Sequence, residues 1–138
     1  MLLKGSNRPI LDKDGYVHAF IRCISEETIA DQETGEALYD CLVWQFEWEG
    51  TQHKEGVHKL QTGAEINPAD EDGKYNRLTD VCLRLGLLTK DELEDPSVDT
   101  DNAVGLRVRY RIIRNEKKQY IMDADSLTLD EQPNGKKR

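Results

Sequence analysis

The stretch Leu38-Tyr39-Asp40-Cys41-Leu42-Val43-Trp44-Gln45-Phe46-Glu47-Trp48-Glu49 carries the clearest period of two in the chain. Leu38, Leu42, Trp44, Phe46 and Trp48 share one parity, interrupted by Asp40, while Gln45 and Glu47 take the other. Successive strand residues point to opposite sides, so this pattern predicts a strand with one apolar and one polar face. Trp44 and Phe46 are assigned to the core. Trp48, close to the strand end and Gly50, is expected to reach solvent, and Tyr39 lies on the opposite parity.

Working outward, the turn Asp31-Gln32-Glu33-Thr34-Gly35-Glu36 precedes this strand. A further strand is predicted upstream, from Tyr16 to Ile24. It is apolar at both parities near its centre, as expected of a strand that bends and serves two sheets. Downstream, His53–Thr62 reads as a weaker strand that completes a hairpin. Tyr75, Leu78, Val81, Cys82 and Leu85 then form a helical stripe, with Asp72 as the expected N-cap and Gly86 placed to end it. Thr89-Lys90-Asp91-Glu92 resembles a capping box, which would start a short helical turn packing Leu93. Val104–Ile113 alternates strictly, and Gln119–Leu129 reads as the closing strand.

Three strands, a helix and two strands is the order of a five-stranded OB-like antiparallel barrel, with the helix between strands 3 and 4. An α+β half-barrel or a split sandwich has the same order. On this reading residues 1–14 form a flexible arm, 15–130 the OB-like domain and 131–138 a disordered basic tail. At 138 residues the chain is one domain in size.

Composition bounds the function. A net charge of −8 argues against a surface that attracts polyanions everywhere. The charge is unevenly placed, however. Val104–Lys118 holds six bases and one acid, whereas Thr89–Asn102 holds six acids and one lysine. Cys23, Cys41 and Cys82 are widely spaced and odd in number, as expected of buried reduced thiols. No apolar run is long enough for a bilayer or a signal peptide, so a cytoplasmic protein with no membrane association is expected. No phosphate loop, nucleophile elbow or metal-ligand spacing is present. The expectation is therefore a non-enzymatic protein with no cofactor, no metal and no small-molecule substrate.

Arg107, Arg109 and Arg111 project from one face of their strand at about 6.6–7 Å spacing, close to the phosphate repeat of an extended single strand. Two readings stand. The row is either a solvated face neutralised by the protein's own acids, or a track for single-stranded nucleic acid. On the second reading Lys59 or Arg22 extends the track, and Trp48 or Tyr39 stacks on bases.

Gly35 through Trp48, the helix Arg77-Leu78-Thr79-Asp80-Val81-Cys82-Leu83-Arg84-Leu85-Gly86 and the opening Gly105-Leu106-Arg107-Val108 together carry a resemblance. The chain resembles the single-stranded-DNA-binding-like proteins of phages and prophages. That resemblance implies an OB-type fold and a role in DNA replication or recombination, with single-stranded DNA, a replication or recombination protein, or further copies of the chain as partners. Lys136-Lys137-Arg138 stands where the better-known members carry an acidic, partner-recruiting tip. The alternative function is a protein–protein interaction or assembly module, using the edge of strand 3 or the acidic loop and binding no nucleic acid.

Overall fold

The structure, a computed structural model, describes residues 10–49 and 57–130. It is mainly β, with six antiparallel strands and one α-helix among the described residues. The strands are β1 (Tyr16–Ala30), β2 (Ala37–Trp48), β3 (Val57–Gly63), β4 (Arg107–Arg114), β5 (Tyr120–Met122) and β6 (Thr128–Leu129), and helix α1 (Arg77–Arg84) lies between β3 and β4. The sheet runs β3-β2-β1-β4-β5, with β6 also paired to β4. Among the described residues no β3–β5 ladder closes it. The single closing strand expected over Gln119–Leu129 is instead two short strands. Asp123 caps a 3-10 turn at Ala124–Ser126 and divides them.

β1 is longer than its apolar stretch suggests. It pairs with β4 over Tyr16–Phe20 and with β2 over Ala19–Ala30. Between Ile21 and Cys23 the register with β2 slips by one residue, so Arg22 is a bulge. Val17, Ala19 and Ile21 point inward before it, and Ile24 packs against the core after it. The mixed parity of this strand therefore has a geometric cause. It also explains Cys23, which was expected in the core and is half-buried, because the bulge turns it to the outer side. Cys41 and Cys82 are buried free thiols, and burial pushes the Cys82 thiol up to about 11.

The helix begins at a different cap from the one expected. Asp70 Oδ1 accepts hydrogen bonds from the backbone of Asp72 and Lys74, which commits that segment to a turn. Asn76 is the N-cap, and its side chain accepts from Thr79 N at 2.8 Å. At the other end Gly86 has φ +72°, Leu87 N–H bonds Cys82 O, and Gly86 N–H bonds Leu83 O. This is a Schellman ending, and glycine accepts its left-handed residue without strain. The turn expected after Thr89 is present as a 3-10 segment, Lys90–Glu94, with Glu92 Oε1 accepting from Thr89 N at 2.9 Å.

Trp44, Phe46, Leu78, Val108 and Tyr110 are buried in one cluster with Val17, Ile21, Leu85 and Leu127. Trp44 Nε1 donates to Thr62 Oγ1 at 3.0 Å, so the largest buried side chain leaves no orphaned donor. Leu38, on the parity of Trp44, is exposed because the β1–β2 hairpin runs beyond the end of the core. Among the described residues no helix is long and apolar enough to cross a membrane.

Candidate nucleic-acid interface

The alternation of β4 puts Val108 and Tyr110 inside and Arg107, Arg109 and Arg111 on the outer side of the sheet. Antiparallel pairing sets Tyr16, His18 and Phe20 of β1 opposite Arg111, Arg109 and Arg107. Cross-strand partners share a face, so the outer surface mixes cations with aromatic rings. Arg109 lies 5.1 Å and Arg111 4.8 Å from the centroid of the Tyr16 ring, so two guanidiniums lie against one aromatic ring.

Arg107 differs from its neighbours. Its Nη2 contacts Glu49 Oε2 at 2.7 Å and lies 4.0 Å from Asp130 Oδ2. Here the self-neutralised reading of the row holds. Arg109 and Arg111 have no carboxylate within ion-pair distance among the described residues. Lys59 occupies the outer side of β3 opposite Gln45, and Arg22 reaches Glu47 Oε1 at 3.9 Å. The outer face thus brings five of the expected cations onto one sheet surface, divided by Glu47 and Glu49.

The two expected stacking residues do not join them. Trp48 is 8% exposed and turns inward, correcting its expected position in solvent. Its Nε1 donates to His58 Nδ1 at 2.8 Å, and Tyr110 Oη lies 2.7 Å from the same nitrogen. An indole N–H only donates, so His58 Nδ1 carries no proton and the ring is the neutral Nε2–H tautomer. Burial lowers the His58 pKa to about 4. Tyr39 is exposed on the outer parity, but it pairs with Ile29 near the hairpin end, eight residues from Glu47. At about 3.3 Å per residue that is roughly 26 Å from the arginines.

Sequence reasoning missed the ring that does accompany the outer arginines, and a second ring nearby. Tyr16 opens β1, and the register that brings it to Arg111 could not be read without knowing which strands pair. Tyr120 is 64% exposed on β5, with Arg114 5.2 Å from its ring centroid, and this pair stands on the parity of Tyr110, on the other side of the strand from Arg111. Ile113 and Ile121, paired across the same hairpin, are also exposed.

A second polar group borders the arginines. His18 Nε2 lies 2.8 Å from Asp12 Oδ2 and Nδ1 lies 2.6 Å from Asp130 Oδ2. Both carboxylates are acceptors, so both ring nitrogens donate and the imidazole is charged. Partial burial opposes that charge, but the bonds to Asp130 and Asp12 outweigh it and raise the His18 pKa above its ordinary value. Asp12 is held down at about 2, first by the Tyr16 N–H and then by His18. No cluster of three His, Cys, Asp or Glu suited to a metal occurs among the described residues.

The expected tail at 131–138, with Lys136–Arg138, and His53 lie outside the described residues. Set against known proteins, the chain matches no family model, and no curated protein or solved structure is significantly similar to it.

Proposed function

We propose that the chain is a single-stranded DNA-binding module of the OB type acting in replication or recombination, and that the strand runs along β4 on its outer side. The observation that carries this reading is the pair Arg109 and Arg111 stacked about Tyr16, with no carboxylate partner among the described residues. Cations interleaved with exposed rings suit a polyanion that also offers base faces. Beyond Arg111 the β4–β5 hairpin occupies the place of a loop that OB-folds use for oligonucleotides, and Arg114 and Tyr120 stand there on the parity of Tyr110, on the other side of the strand from the outer arginines. The strand order β3-β2-β1-β4-β5 and the helix after β3 support the OB assignment, with β3 and β5 as the strands that would close the barrel.

Arg107 contributes less than its neighbours, since Glu49 already holds it. Two to three phosphate contacts remain, which imply a log–log salt slope of roughly −1.4 to −2.1 for a single strand. Fluorescence anisotropy with labelled oligo-dT and the matching duplex at two salt concentrations tests the reading. Saturable binding that weakens with salt and favours the single strand supports it. An unchanged signal at tens of micromolar protein in low salt rejects it.

A further inference from the structure

Among the described residues the far half of β1 has an open edge. β4 pairs with β1 only as far as Phe20, followed by two hydrogen bonds at Ile21, whose N–H donates to Leu106 O at 2.9 Å and whose O accepts from Gly105 N–H at 2.8 Å. Gly105 has φ +94°, and the pairing of this chain with β1 goes no further than its bond to Ile21. From Ser25 to Ala30, β1 is paired with β2 on one side and with no described strand on the other.

Beside this edge lies a cleft of about 490 Å³. Leu42, Trp44, Leu87 and Val98 form its apolar wall, and Glu26 and Glu65 are its charged residues, with no lysine or arginine in the lining. Glu26 faces the cleft because the Arg22 bulge sets Ile24, Glu26 and their partners Trp44 and Leu42 on one side.

We infer that this edge and cleft form a docking site for an extended, basic segment of a partner protein, which adds as a strand to β1. Backbone groups of Ser25–Ala30 would bond the segment, a large apolar side chain would enter the cleft, and a lysine or arginine beside it would meet Glu26 and Glu65. A second copy of the chain is the wrong occupant for this edge. Antiparallel pairing of two such edges would bring Glu26 and Glu27 of one beside those of the other, diagonally or directly opposite according to register, and like charges close across strands repel. The site lies at the end of β1 remote from Tyr16 and the β4 arginines, so it stands independently of the DNA-binding proposal.

The test uses the full chain and a dye-labelled hexapeptide of alternating lysine and leucine with blocked ends. Binding should be saturable, and the amides of Ser25–Ala30 should exchange more slowly in the complex. A glutamate–leucine peptide, and a lysine–leucine peptide N-methylated at alternate residues, should each bind about tenfold more weakly or worse. The exposed charge reversal E26K/E65K, with E26Q/E65Q as the milder pair, should weaken binding about tenfold. The reversal E33K/E36K in the distant hairpin turn should leave it within about twofold. Equal losses in both reversals, equal affinity of the N-methylated peptide, or unchanged exchange at Ser25–Ala30 would overturn the inference.

Discussion

His18 Nδ1 sits 2.6 Å from Asp130 Oδ2, a contact between residues 112 positions apart, and the same ring reaches Asp12 on its other side. One charged imidazole therefore ties the turn before β1 to the chain just after β6. Its folded pKa is raised above 6.5, so its stabilisation is complete below that value and is lost as pH rises through the folded pKa. His18→Asn should lower stability at pH 6, and the gap from wild type should shrink at higher pH. Denaturant unfolding of both proteins across pH 6–9 checks this, and a constant gap would contradict the charged clamp.

His58 should behave in the opposite way. Its depressed pKa, about 4, means that the unfolded chain takes up a proton between pH 6.5 and 4 that the folded chain refuses. Stability from this group is full above pH 6.5 and falls as pH drops towards 4. In an NMR titration the His58 ring signals should stay those of the neutral Nε2–H tautomer at pH 6, while those of His18 are already charged.

Trp44 is central to the core and bonds Thr62 through its indole nitrogen. Trp44→Ala should cost about 3–5 kcal/mol, the range for removing a large buried aromatic side chain. Trp44→Phe should cost less, since it keeps most of the apolar contact and removes one hydrogen bond. Guanidinium unfolding with unchanged slopes would give both values.

The arginine row separates by partner. Arg109→Ala with Arg111→Ala should remove binding to oligo-dT and flatten its salt dependence, with circular dichroism unchanged. Arg107→Ala should leave affinity within about twofold, because this guanidinium is engaged with Glu49, and should cost about 1 kcal/mol or less in stability for a half-exposed pair. If all three single variants weaken binding alike, Arg107 is part of the track after all.

Periodicity made the inside of this molecule legible. Trp44, Phe46, Leu78, Val108 and Tyr110 each sit on the apolar stripe of their own element, and all five meet in the core. The polar surface was less legible because it is assembled by register. Tyr16 meets Arg111, and Glu49 meets Arg107, only through strand pairing that no local pattern encodes. Trp48 looked exposed from its place at a strand end. Its burial depends on His58 and Tyr110, which supply an acceptor and ring contacts for the indole. The N-cap was misplaced for a comparable reason: Asp70 drew Asp72 into a turn, leaving Asn76 to start the helix.

The single extra residue at Arg22 acts on β1 as a frameshift acts on a message. Upstream of it odd-numbered residues are read as interior, and downstream even-numbered ones are. Pairing Arg22 into a regular ladder would cost the strand its meaning: Cys23 and Ser25 would take the inward places of Ile24 and Glu26, and the cleft would lose one of its two acids and a neighbouring isoleucine. The two faces of this protein, one offering cations and the other an acidic cleft, are kept in phase by one residue.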